Sequence, residues 1–174
     1  MQGSPLRRSL DALYDGCAVL AALFMVALLV MVLLSILGRQ LHFNLPGVDA
    51  YAGYMMAASG FLALAHTLKR GEHIRVTLLL SALHGGMRRA LEIWALFAAA
   101  LLAALAAVYS CKLAWQSYTF NDVSTGSDAT PLWIPQLTMA LGTLVLAIAF
   151  VDEWLLELRG RRIVPVSDEA TRNE

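Results

Sequence analysis

The sequence predicts an all-α integral membrane protein with four transmembrane helices and a short interfacial amphipathic helix between the second and the third. The composition is 59% hydrophobic with a mean hydropathy of +0.63, and 15% of residues are charged, against about 25% in soluble domains. None of the charged residues falls inside four long apolar runs, residues 16–38, 50–68, 93–111 and 129–151. At about 1.5 Å of helical rise per residue, these runs are roughly 28 to 35 Å long, which spans a hydrocarbon core of about 30 Å.

The first run follows Arg7 and Arg8, as the core of a secretory signal would. However, its 23 uncharged residues exceed the usual 7 to 15 of a signal core, and Gly38-Arg39 is a poor cleavage site. We therefore expect an uncleaved first transmembrane helix.

The distribution of basic residues predicts the orientation. Eleven lysines and arginines lie in the two tails and the segment between the second and third runs, whereas the other two connections hold only Arg39 and Lys112. By the positive-inside rule, both termini and the middle segment are cytoplasmic. The predicted domains are a cytoplasmic tail (1–12), a four-helix membrane domain (13–158) and a second cytoplasmic tail (159–174).

The middle segment predicts the interfacial helix. Residues 74–83 are apolar but too few to span a membrane, and Gly85-Gly86 breaks a helix. Such a segment lies in the headgroup region, with its apolar side chains among acyl chains and nearby basic groups close to lipid phosphates. Tryptophans at span ends are typical of the same interface. The lipid-interface residues that we predict are Arg70, Arg88, Arg89, Trp94, Trp115, Trp133 and Trp154.

Small residues predict the helix contacts, because close packing of small side chains promotes helix association in membranes. The third run has Ala99, Ala103 and Ala107 at four-residue spacing, and the second has Gly53 and Ala57. These rows could pack within this chain or against a partner subunit, and the sequence does not distinguish the two.

The chain has no pattern typical of catalysis or of cofactor binding. It has no HExxH, CxxC, phosphate-binding loop or nucleophile elbow. His42, His73 and His84 lie outside the predicted spans, and His66 sits near the cytoplasmic end of the second. Ion-coupled carriers usually need an ionisable group inside the membrane, and the apolar runs have no acidic or strongly basic one. We therefore predict no enzyme activity, no cofactor in this chain and no nucleic-acid partner.

Several local motifs resemble one family of membrane subunits. They are Gly38-Arg39 after the first helix, Asp49 opening the second, residues 69–76 (KRGEHIRV) after it, Arg88-Arg89 before the third, and residues 132–135 (LWIP) opening the fourth. Together they resemble the small membrane subunit of tripartite ATP-independent periplasmic (TRAP) transporters, the DctQ-type family, from about Asp11 to Leu158. The chain departs from the family pattern at Asp49, where glutamate is commoner, at Ala63, where glycine is usual, and at Thr77, where aspartate is common.

The resemblance implies a multi-pass subunit of the bacterial inner membrane that braces a larger permease. That permease would hold the sodium and substrate sites, and a periplasmic binding protein would deliver an organic acid. Arg39 is expected to anchor the external end of the first helix or to pair with Asp49, and Gly71 to let the chain turn into the interface. Two alternatives stay open: a haem-binding membrane anchor of a redox enzyme, and a self-sufficient small transporter. The positions expected to form subunit or structural contacts are Arg39, Asp49, Gly71, His73, Arg75, Ala99, Ala103 and Ala107.

Overall fold

A computed structural model describes residues 5–43, 45–70, 86–126 and 128–160. The predicted interfacial helix falls between the second and third of these ranges and lies outside the described residues. Three of the predicted contact positions lie outside them as well: Gly71, His73 and Arg75.

The described residues form four helices and no β-strand: α1 (Pro5–Gln40), α2 (Val48–Arg70), α3 (Gly86–Thr119) and α4 (Trp133–Leu158). The all-helical prediction is therefore confirmed. Three helices, α1, α3 and α4, are long and apolar enough to cross a membrane. The 23 residues of α2 would extend over about 35 Å, but its two tyrosines, one histidine, one serine and one threonine make it less apolar. The second predicted span is therefore a helix, but its composition alone does not show that it crosses a membrane.

The helix ends follow from local sequence. Pro5 opens α1, where its missing N–H costs no helical hydrogen bond. Gly47 precedes α2 with a φ of +84°, and its carbonyl accepts a hydrogen bond from the Tyr51 N–H at 3.0 Å. Gly160 follows α4 with a φ of +63° and donates to the Glu157 carbonyl. Both glycines occupy a left-handed conformation that other residues adopt only at a cost.

The four helices form an open row rather than a closed bundle. α1 packs on α2, α2 on α4, and α4 on α3, whereas other helix pairs of the described chain touch only slightly. The long helices α1 and α3 therefore lie at the edges, and the shorter α2 and α4 lie between them. The row leaves two broad faces and many large apolar side chains exposed, as expected for surfaces that meet lipid or another membrane subunit.

Two clusters hold the row together. The larger joins α1, α2 and α4 and includes Tyr14, Cys17, Ala21, Leu62, Ala65, Leu68, Val145 and Ala149. The smaller joins α3 to α4 through Ala103, Ala107 and Ala147. Between α2 and α4 the backbones approach closely, because Gly142 has no side chain to separate it from Phe61. The helices are thus packed mainly by small residues, as in other membrane bundles.

Candidate functional site

Two polar contacts join the predicted cytoplasmic ends of α1 and α2. Lys69 forms an ion pair with Asp11, and Nδ1 of His66 lies 3.3 Å from Oδ1 of Asp15 without hydrogen-bond alignment. Asp11 and Asp15 are one helical turn apart on α1, and His66 and Lys69 are about one turn apart on α2. The two residues on each helix therefore lie on the same face of it. We call these four residues the inner clasp.

Tyr14 lies beside the inner clasp and is almost completely buried, with 2% of its surface exposed. The ammonium group of Lys69 lies 5.3 Å from the centre of its ring, within the range of a cation–π interaction. On the other side, Arg7 pairs with Asp152 of α4 at 3.8 Å. The first turns of α1 are therefore attached to both α2 and α4.

At the same end of the row, Arg89 connects α3 to α4. Nη2 of Arg89 donates to the carbonyl oxygen of Leu158 at 3.3 Å, where the end of α4 has a partial negative charge. Arg88 pairs with Glu92 one turn later at 3.2 Å. Arg70, Arg88 and Arg89 are all exposed, but Arg88 and Arg89 also contact groups of this chain.

A second polar cluster joins the opposite ends of α1 and α2. Nη2 of Arg39 lies 3.7 Å from Oδ2 of Asp49. Ser35 donates to Oδ1 of Asp49 at 2.9 Å and accepts a hydrogen bond from Arg39 at 3.4 Å. The structure therefore brings together the two residues that the sequence suggested as a pair. We call Ser35, Arg39 and Asp49 the outer clasp.

The two clasps are separated by about the thickness of a hydrocarbon core. Asp15 and Ser35 are twenty residues apart on α1, which corresponds to about 30 Å of helix. On α2, Asp49 and His66 are seventeen residues apart, or about 26 Å. This spacing fits both α1 and α2 crossing a membrane with their polar contacts at its two surfaces.

The connection between α3 and α4 folds back onto α2 through Asp128. The carboxylate accepts hydrogen bonds from Ser124 at 2.8 Å and from Tyr54 at 3.1 Å. A hydrogen bond from the Thr130 side chain, followed by those from Ser124 and Tyr54, lowers the pKa of Asp128 to about 2. The Thr130 hydroxyl also lies 3.0 Å from that of Tyr51. The loop is thus fixed by one ionised carboxylate and a set of hydroxyl groups.

A cavity of about 570 Å³ opens beside the outer clasp. Its polar lining includes Arg39, His42 and Asp49, and Gly126 of the α3–α4 connection closes one side. The charges of Arg39 and Asp49 oppose each other, and the described chain contains no group of three or more potential metal ligands. The cavity therefore has no arrangement typical of a metal or anion site.

The predicted row of alanines on α3 packs inside this chain. Ala103 and Ala107 are buried against Ala147 of α4, and Ala99 is half-buried beside them. These contacts stabilise the subunit itself. By contrast, Gly53 and Ala57 of α2 are exposed.

The four predicted interfacial tryptophans fall into two groups. Trp94 and Trp115 are 67% and 70% exposed, whereas Trp133 and Trp154 are half-buried. Trp154 packs on Phe97 with ring centres 5.6 Å apart, and Trp133 meets Tyr118 edge to face at 5.7 Å. Trp133 and Trp154 therefore also connect α4 to α3.

The apolar pattern of the sequence does not predict the inner clasp. Asp11 was assigned to a cytoplasmic tail, although α1 already begins at Pro5. The available signal was the four-residue spacing of Asp11 and Asp15, matched by the three-residue spacing of His66 and Lys69 at the end of the next helix. That spacing predicts facing pairs only once the two helices are known to be antiparallel neighbours.

One comparison with known proteins covers most of the chain. The family model described as tripartite ATP-independent periplasmic transporters, DctQ component, matches residues 28–160. The match includes the outer clasp, α2, α3 and α4. No curated protein matches the chain.

Proposed function

We propose a bracing role for this chain, which belongs to the DctQ component family of tripartite ATP-independent periplasmic transporters. In this proposal it is the small membrane subunit of a secondary transporter in a bacterial inner membrane. It binds a larger permease, and that permease performs sodium-coupled uptake of an organic acid delivered by a periplasmic binding protein. The family membership establishes a transporter component, and the bracing role, the sodium coupling and the organic acid are part of the proposal.

The observation that supports bracing most directly is that α1 and α2 lack charged and histidine side chains between the two clasps. Residues 16–34 of α1 and 50–65 of α2 include no charged or histidine side chain. Coupled transport generally needs such groups within the membrane. The sodium and substrate sites are therefore assigned to the partner.

The fold supports the same role mechanically. α1 and α2 are joined at both ends, and α2, α4 and α3 are packed through small residues and a glycine contact. A moving permease needs a fixed neighbour, and the exposed apolar side chains of the row provide a broad face for it.

The exposed small residues of α2 suggest which face the permease contacts. Gly53, Ala57 and Gly60 are exposed and lie three or four residues apart on one side of the helix. A Cβ at Gly53 or Gly60 would meet no atom within 4 Å. A partner helix can approach such a surface closely.

We further propose that both termini face the cytoplasm, as the excess of basic residues there favours. The inner clasp then lies at the cytoplasmic surface. The outer clasp and the Asp128 loop lie at the periplasmic surface, on the side from which a binding protein would approach.

Affinity purification in mild detergent tests the proposal. A tag on this chain should recover one larger multispan permease in stoichiometric amount. Recovery of no such partner would refute the accessory role, and a stoichiometric haem absorption band would favour the redox-anchor alternative.

A variant of the proposed contact face makes the test sharper. Gly60→Leu should reduce recovery of the permease severalfold because the added side chain holds the partner helix away. Ala106→Leu, an exposed site on the edge helix α3, is the matched control and should leave recovery unchanged. Equal recovery with both variants would exclude the Gly60 face as the contact.

A further inference from the structure

A groove of about 270 Å³ runs between α1 and α2 on the predicted cytoplasmic half of the row. Small or apolar side chains line most of it: Ala18, Ala21, Ala22, Met25 and Ala63. The hydroxyl groups of the two lining residues Ser59 and Thr67 donate to carbonyls of their own helix at 2.9 Å. The groove therefore presents an apolar surface, apart from His66 at its end.

The polar end of the groove continues into charged residues along both helices. On α1, the stripe Ala22, Ala18, Asp15, Asp11 and Arg8 repeats every three or four residues, which keeps it on one face. On α2, the matching residues are Ala63, His66 and Arg70. The helical register therefore places Arg8 and Arg70 beyond the inner clasp, at the end of the groove that we call its mouth.

The two arginines at the mouth have no acidic partner among the residues that the structure describes. Lys69 is paired with Asp11, whereas Arg8 and Arg70 are exposed and contact no acidic group of the described chain. Among the described residues, the carboxylate of Asp15 opposes one of these two arginines, which leaves an excess of one formal positive charge. That excess complements a single phosphodiester.

The dimensions fit one acyl chain of the inner leaflet. Ala18 and Met25 are seven residues apart, or about 10 Å along the helix, and a leaflet's hydrocarbon is about 15 Å deep. Water is absent at that depth, so an open groove between two helices is filled by a lipid or by protein.

We propose that this groove binds one phospholipid of the cytoplasmic leaflet, with an acyl chain between α1 and α2 and its phosphate between Arg8 and Arg70. The site selects a lipid with one net negative charge over a zwitterionic lipid of the same chain length. Bound there, the lipid fills the gap that the small residues of α1 and α2 leave beside the inner clasp. The proposal rests on the cytoplasmic orientation proposed above, but not on a partner permease.

Native mass spectrometry of the full chain tests the site. The tagged chain is purified in mild detergent and titrated with phosphatidylglycerol or phosphatidylcholine of equal chain length. We expect one phosphatidylglycerol per chain, retained at least about tenfold better than phosphatidylcholine because charge near the surface favours it.

Two independent variants locate the lipid. Arg8→Gln with Arg70→Gln should reduce phosphatidylglycerol retention about tenfold or more, since each arginine near the surface contributes on the order of 1 kcal/mol. Ala22→Leu with Ala63→Leu should also remove the lipid by filling the groove. Ala106→Leu on α3 and Arg159→Gln after α4, both at exposed positions, are the matched controls and should retain it.

Three results would overturn the proposal: retention unchanged in both double variants, equal retention of the two lipids, or a photocrosslink to the permease from a photoreactive side chain placed at position 22. The last would show that protein fills the groove. Recovery of the permease is scored in the same preparation, so failure of the lipid site and failure of the bracing role give different results.

Discussion

Gly142 of α4 lies directly against the backbone of Phe61 in α2, so that a Cβ at position 142 would come within 2.5 Å of the Phe61 carbonyl oxygen. Gly142→Ala must therefore push the two central helices apart. We expect a loss of about 1–3 kcal/mol in unfolding free energy, the usual cost of overpacking, measured by thermal unfolding in detergent.

Gly60→Ala is the control for that substitution. Gly60 is also within a helix, but a Cβ there meets no atom within 4 Å, so the variant should be neutral or more stable by up to about 1 kcal/mol. Equal destabilisation by both substitutions would mean that the close approach to Phe61 does not determine the effect, because Ala favours a helix over Gly at both positions.

The inner clasp should contribute a measurable interaction energy. The side chains of Lys69 and Asp11 are 31% and 43% exposed, so solvent screens part of their attraction. A double-mutant cycle with Lys69→Ala and Asp11→Ala should give a coupling of about 0.5–1 kcal/mol.

The outer clasp provides the comparison. Arg39 and Asp49 are 75% and 80% exposed, and the same cycle there should give about 0.3 kcal/mol or less. If the outer pair coupled more strongly than the inner pair, burial would not be the property that distinguishes the two clasps.

Asp128 should make the loop between α3 and α4 sensitive to acid. Its pKa is lowered from 3.8 to about 2, so the folded chain binds this proton more weakly than the unfolded chain does. The stabilisation is therefore complete above about pH 4 and is lost as the pH falls towards 2.

The measurement is thermal unfolding from pH 6 to pH 2, compared with Asp128→Asn. The difference in stability between the two proteins should be constant at the upper end of this pH range and should shrink below about pH 4. A difference that does not change with pH would show that the carboxylate charge makes no contribution.

The proposed orientation predicts which end of α3 is accessible from outside the cell. Phe120 and Met87 are 73% and 68% exposed at its opposite ends. In a chain with Cys17→Ala and Cys111→Ser, an impermeant thiol reagent should label Phe120→Cys, but not Met87→Cys, in intact spheroplasts. The opposite labelling pattern would reverse the assignment of both clasps.

The sequence predicted the helices well because membrane solvation imposes long uncharged segments. It located all four helices within the described residues, and it suggested the Arg39–Asp49 pair. It also proposed the alanines of α3 as a packing surface without deciding which partner they contact, and the structure places Ala103 and Ala107 against α4.

The arrangement of the helices could not be predicted in the same way. The order of the helices, with α1 beside α2 and α3 at the opposite edge, depends on contacts between residues far apart in the chain. The contact of Gly142 with Phe61 is one of them. The inner clasp was missed for the same reason, since Asp11 and Lys69 are 58 residues apart. Local periodicity predicts which face of a helix is buried, but it does not predict which helix packs on that face.

Uptake by reconstituted vesicles tests the bracing role most directly. Vesicles that contain this chain alone should take up neither labelled sodium nor the organic acid that the periplasmic binding protein binds, whereas adding the large permease and that binding protein should restore uptake. Uptake by this chain alone, or full uptake by the permease and binding protein without it, would contradict the account.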